Sequence, residues 1–257
     1  MITLSKLLKN TPLNKVTFWS DFIEMTQRRN LFVHCNGIVS EQYIKECEEE
    51  KCSTISNLGD VLAVDQAYFL KAYFVFYCMG VMLSQVISRK LLGDSLAGEL
   101  DSVLNNIIYE SIVDEDYDIA IELSKFAVSK NMTSHRSRLD SMYFILNHAQ
   151  AYKWSGNQEK CLQTLKDFDF TAVKDDILIA KYALEDNEEK VIELMKSIGR
   201  KSDIMNEEAY ATWEIYKKIR DLESFKNCFE SVFGKTLEKV EKEIDLPIDS
   251  KEESKEI

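Results

Sequence analysis

Two prolines and eight glycines in 257 residues leave this chain very little punctuation. Proline and glycine are the strongest local breakers of regular structure, so a chain poor in both is built from long elements. Those elements read as helices. Strand-like alternation is nearly absent, and apolar residues return at steps of three and four. With 45% hydrophobic residues the chain can also bury a substantial core. The expected class is all-α.

The longest uncharged apolar run, Ala72 to Leu83 (AYFVFYCMGVML), lies inside a helix expected from about Asp65 to Arg89. Its centre is apolar all round, which predicts a central helix surrounded by others. The run falls short of the roughly 20 residues a membrane span needs. The opening MITLSKLLKNTPLNK has no apolar signal core, so the expected location is cytoplasmic. Six dispersed cysteines without a CxxC pair suit buried thiols in a reducing compartment. The spacings of His34, Cys35, Cys47 and Cys52 match no familiar zinc pattern, and neither metal nor cofactor is expected.

Charge narrows the partners. The net charge of -12 argues against a protein that coats nucleic acid. Residues 1 to 60 are nearly neutral, with seven Lys/Arg against eight Asp/Glu, and the remainder carries 25 against 36. A small anion site near the N-terminus survives that distribution, whereas an extended basic groove does not.

The first helix is expected from about Thr17 to Val33, on a stripe of Phe18, Phe22, Met25, Arg29 and Phe32. Arg29 falls on that stripe and must reach its edge, pair, or point into a partner. Asn36-Gly37 marks a turn, and Ser40 is placed to cap a short helix. After Leu92, Asp94 or Ser95 is placed to cap a helix over about Leu96 to Ser111.

The second half repeats one shape: a helix end bearing an aromatic residue, a short polar turn, then an amphipathic helix. Tyr152, Tyr182 and Tyr216 stand four residues before Gly156, Asp186 and Arg220. With Glu115 these turns recur at a degenerate period near 34. From Thr236 onward the apolar stripe fades into charge, and the tail over 236–257 is expected to be partly disordered.

Two stretches resemble known families. Tyr152, Gly156, Cys161 and Leu165 are similar to the tyrosine, glycine, small and apolar positions of tetratricopeptide repeats. That implies stacked helical hairpins over about 113–235, binding a protein partner or peptide. The string RRNLFVHCNGIVSEQY, with Arg29, Asn30 and His34 in an R-x4-H arrangement, resembles the motif of HEPN domains from prokaryotic defence and toxin–antitoxin loci. The resemblance implies a helical bundle over about 1–112, pairing as a homodimer or with a related HEPN partner. It further implies a metal-independent ribonuclease. His34 would act as general base or acid, Arg29 as phosphate clamp, and Asn30 would orient the histidine or touch the phosphate. Arg28 would contact RNA backbone. A non-catalytic adaptor or dimerisation subunit on the same fold is the alternative.

Helical geometry restricts that site. At about 100° per residue, Arg29 and His34 lie about 140° apart, while Asn30 and His34 share a face. Either the helix ends near Val33 and releases His34, or Arg29 of one copy joins the motif of another. Tyr43 reads as a packing residue, and His135 and His148, among the repeat helices, as structural.

Overall fold

The computed structural model describes residues 12–53, 56–129, 132 and 136–245. Among these residues the chain is all-helical, with twelve α-helices, three short 3-10 turns and no strand longer than an isolated bridge. It divides into two compact units, one of residues 1–104 with 129–136, the other of 105–128 with 137–257. The expected boundary near 112 falls inside a helix.

In the first unit, α1 (Trp19–His34) packs on α2 (Glu41–Glu49) and on the long α3 (Gln66–Leu92). Ser40 caps α2 as expected, its side chain accepting from the Tyr43 amide. Asp65 does the same for α3 through the Tyr68 amide at 2.7 Å. Gly93, at φ 71, stops α3, its amide donating to the Arg89 carbonyl. The next helix, α4 (Ala97–Val113), carries Asp101, which is almost fully buried. Asp101 accepts from Arg89 at 2.6 Å and from Arg136 at 2.8 Å, tying Arg136 to this unit.

Two expectations for this unit are corrected. α3 is not enclosed. It buries Val75, Cys78, Met79, Met82 and Gln85, while Phe69, Tyr73, Phe76, Ile87 and Leu91 are exposed. At 27 residues α3 is also long and apolar enough to cross a membrane by length and composition, which the apolar run alone did not reveal. The reason is that Gln66 to Lys71 and Ser84 to Leu92 extend the helix on both sides of the run.

The second unit contains α5 (Tyr117–Ala127), α6 (Arg138–Trp154), α7 (Gln158–Lys166), α8 (Asp175–Leu184) and α9 (Glu188–Ile198). α10 (Glu207–Thr212), α11 (Glu223–Phe233) and α12 (Leu237–Asp245) complete it. Successive helices pair as α5 with α6, α6 with α7 and α8 with α9. The α6–α7 and α8–α9 turns share one solution. Gly156 and Asp186 take left-handed backbone, the Tyr152 and Tyr182 carbonyls accept from the Asn157 and Asn187 amides, and those asparagines cap the next helix. Glu115 makes the same left-handed step before α5.

The turn read at Arg220 is different. Its first helix breaks into the short α10 and a 3-10 turn at Glu214–Tyr216, and Arg220 donates to the Tyr210 and Trp213 carbonyls. Lys153 links neighbouring hairpins, its buried ammonium donating to the Ala183 and Leu184 carbonyls and to Asp186. The reading of residues from 236 onward as tail is corrected in part: Leu237 and Val240 are buried and α12 packs on α10 and α11. Residues 246–257 lie outside the described residues, as does His135.

His148 is buried in this unit, its Nδ1 2.6 Å from the Ser124 hydroxyl and its ring 4.7 Å from that of Tyr152. Burial, with Lys125 nearby, pushes its pKa down to about 4. Below the ordinary value near 6.5, the unfolded chain takes up a proton that folded His148 refuses. Stability from this group is therefore complete above about pH 6.5 and declines as the pH falls toward 4, by a total on the order of 3 kcal/mol. Chemical denaturation of wild type and His148→Gln between pH 7 and pH 4 checks this, and the variant should show the shallower decline.

Candidate functional site

The turn after α1 shapes the end of that helix. The Leu31 carbonyl accepts from both the Cys35 and Gly37 amides, closing the helix at His34. Asn36 at φ 51 and Gly37 at φ 78 turn the chain back. The Leu62 amide donates to the Gly37 carbonyl, the Val39 amide to the Asp60 carbonyl, and Ile38 bridges Val61. A Cβ at Gly37 would lie 3.1 Å from the Phe32 ring and 3.2 Å from the Leu62 carbonyl oxygen. Gly37→Ala combines this crowding with left-handed backbone, so it should destabilise the first unit by about 1–3 kcal/mol. Denaturation midpoints for Gly37→Ala and wild type measure the loss.

Where α1 meets its neighbours, the buried face differs from the expected stripe. Phe18, Phe22 and Met25 are buried as expected, but over the last turns the buried residues are Gln27, Arg28 and Leu31. Arg29 and Phe32 are exposed. The inward arginine is thus Arg28, because the loop before α3 brings a carbonyl acceptor to that side. Arg28 Nε donates to Glu24 Oε1 at 2.7 Å and Nη1 donates to the Ala63 carbonyl at 3.2 Å. Its guanidinium lies 4.1 Å from the centre of the Tyr68 ring. The Tyr43 hydroxyl donates to Glu24 Oε1 at 2.7 Å, and that of Tyr68 to Oε2 at 2.9 Å.

One buried carboxylate therefore holds one arginine and two tyrosines, joining α1, α2 and α3. Burial opposes the charge on Arg28, and the attraction of Glu24 outweighs it, so the guanidinium pKa is raised. Burial, reinforced by Glu24, raises both tyrosines well above the ordinary phenol range. Arg28, expected to contact RNA backbone, is instead turned into the bundle, with Nε and Nη1 engaged there. Tyr43 is more than packing. The Glu24–Arg28 pair at i,i+4 was readable in the sequence. The involvement of Tyr43 and Tyr68 was not, since it depends on how three helices meet.

The other motif residues face outward. Arg29 and His34 are exposed and Asn30 is half-buried. Arg29 makes one long contact, Nη1 to Asn30 Oδ1 at 3.4 Å. No hydrogen bond or ion pair within the described residues engages the His34 ring. Because α1 stays helical through His34, the release of His34 at Val33 does not occur, and Arg29 and His34 keep their separation around the helix.

A cleft of about 230 Å³ lies beside α1, lined among others by Asp21, Glu24, Arg28, Asp65, Tyr68 and Lys71. None of Arg29, Asn30 or His34 lines it. Four of its charges pair, Lys71 on Asp21 at 2.7 Å and Arg28 on Glu24, while Asp65 caps α3. Among the described residues no three His, Cys, Asp or Glu side chains are grouped to hold a metal ion. No protein-family model, curated protein or solved structure matched the chain.

Proposed function

We propose that the chain is a metal-independent endoribonuclease of the HEPN kind, acting in a prokaryotic antiviral or toxin–antitoxin setting, with Arg29, Asn30 and His34 forming half of its site. The observation that carries this reading is the contrast between adjacent arginines. Arg28 is committed to Glu24 and the bundle, whereas Arg29 and His34 stand exposed at the end of α1 without a structural task there. The motif resemblance supplies the chemistry for those two side chains.

In that reading the second half-site comes from another motif, on a second copy or on a related chain. The RNA 2′-oxygen attacks the adjacent phosphorus, forming the 2′-O–P bond as the P–O5′ bond breaks. His34 takes the 2′-hydroxyl proton and, as the imidazolium, gives a proton to the departing 5′-oxygen, beside Arg29 of the other motif. Arg29 spreads its fixed charge over the phosphoryl oxygens. Asn30, one turn before His34, orients the imidazole or the phosphate. The products are a 2′,3′-cyclic phosphate and a 5′-hydroxyl.

Cleavage of single-stranded RNA by the full chain, in EDTA and with or without cell lysate, tests the proposal. Wild type should yield cyclic-phosphate ends and His34→Ala none. A wild type that leaves RNA intact in both conditions would remove the reading.

The cleft beside α1 excludes all three motif residues, and this favours a second reading as a helical adaptor. Under both readings the hairpins of the second unit hold a protein or basic peptide, because the acidic excess lies beyond residue 60. The segment should not bind bare RNA tightly at physiological salt.

A further inference from the structure

The long helix α3 carries an apolar face that the described residues leave largely exposed, although the Phe76 ring packs 5.7 Å from that of Phe22. Phe69, Tyr73 and Phe76 continue through Gly80 and Ser84 to Ile87 and Leu91, at steps of four, three, four, four, three and four. That is one straight stripe about 33 Å long. Phe69 is 63% and Leu91 76% exposed, and Leu70 and Tyr77 widen the stripe on one side. We propose that this face pairs with the same face of a second copy, the two α3 helices crossing antiparallel at Gly80.

Three observations select that occupant and that orientation. The first is area. With about 150–250 Å² for a whole aromatic side chain, the exposed parts of the seven large apolar residues come to roughly 700 Å². A standard interface removes about 800 Å² from each partner, so the stripe with its rim suffices. The second is Gly80. Glycine inside a helix costs about 1 kcal/mol relative to alanine, and no atom lies within 4 Å of the place its Cβ would occupy. Packing within the chain therefore does not require it. A small residue midway along an exposed apolar stripe, with Ser84 one turn later, is what close approach of a second helix requires.

The third is symmetry. Around Gly80 the stripe is self-complementary when reversed: Phe69 meets Leu91 of the other copy, Tyr73 meets Ile87, and Phe76 meets Ser84. The rim agrees. Exposed Asp65 at one end and exposed Lys90 at the other lie on one flank, so reversal sets opposite charges together. A parallel pair would set like beside like. The net charge of -12 opposes adsorption of the same face to anionic headgroups.

The pairing stands apart from the ribonuclease reading. α1 runs antiparallel to α3, with Asp21 at Lys71 and Arg28 at Tyr68 and Ala63, so the motif lies beyond the start of α3. An antiparallel crossing at Gly80 holds the two motif ends roughly 50 Å apart. Each pole then offers one half-site to a further partner.

Sedimentation of the full chain over a wide concentration range is the test. Wild type should dimerise, and Gly80→Leu and Tyr73→Glu should each weaken the dimer by about tenfold or more. Both positions are exposed, so helicity and melting should remain close to wild type. In a Cys35→Ser background, mixed Phe69→Cys and Leu91→Cys chains should form the 69–91 disulfide on mild oxidation. A monomer at every concentration, a dimer indifferent to both substitutions, or a 69–69 disulfide in place of 69–91 would overturn the proposal. So would flotation with phosphatidylcholine vesicles that Tyr73→Glu abolishes.

Discussion

Glu24→Ala should destabilise the first unit by about 3–5 kcal/mol, the largest single effect on stability expected in this chain. The carboxylate is buried and accepts from Arg28, Tyr43 and Tyr68. Its removal leaves a buried guanidinium without its counter-charge and two hydroxyls without their acceptor. Arg28→Met should cost less, because the remaining carboxylate keeps both tyrosine hydroxyls and the methionine fills the space against Tyr68. Urea unfolding of the two variants, monitored through Trp19 on the same helix, separates the cases. Equal and small losses would show that the network contributes little. The same logic applies to Asp101 between Arg89 and Arg136, although its partners come from the other end of the unit.

Both polar clusters show where sequence reading stops. The helices were legible because their signals are local: the 3.6-residue period, Ser40 ahead of Tyr43, and Asn36-Gly37 after the motif. The polar turns at Gly156 and Asp186 were legible for the same reason, since left-handed backbone and an asparagine cap are properties of a few consecutive residues. Which face of α1 turns inward is not local. It depends on the Ala63 carbonyl, 35 residues from Arg28, and it buries Arg28 where the sequence stripe placed Arg29. The openness of α3 is likewise a tertiary property, because a helix apolar all round fits an enclosed core and an unpaired interface equally well. α12 was missed because its stripe of Leu237, Val240 and Ile244 gives only one apolar residue per turn among charges.

His34→Ala should lower RNA cleavage by about 10²–10⁴-fold, the range general acid–base groups contribute. Arg29→Ala should come close to it, since a lost charge on the transition-state phosphoryl oxygens costs about 10²–10³-fold. Neither change should alter stability appreciably, because both side chains are exposed and outside the Glu24 network. That separation of activity from stability distinguishes these residues from Arg28, whose loss should act through folding. Each effect is read as the initial rate of cyclic-phosphate formation at fixed RNA concentration.

The composite nature of the site is the central claim, and mixing tests it most directly. Arg29→Ala and His34→Ala chains, each inactive alone, are combined in equal amounts, and RNA cleavage in EDTA is measured as the mixture equilibrates. If Arg29 of one copy serves His34 of another, mixed pairs contain one intact site, and activity should return to about a quarter of wild type. A wild type that cleaves while the mixture stays as inactive as either variant alone would contradict a site shared between two copies.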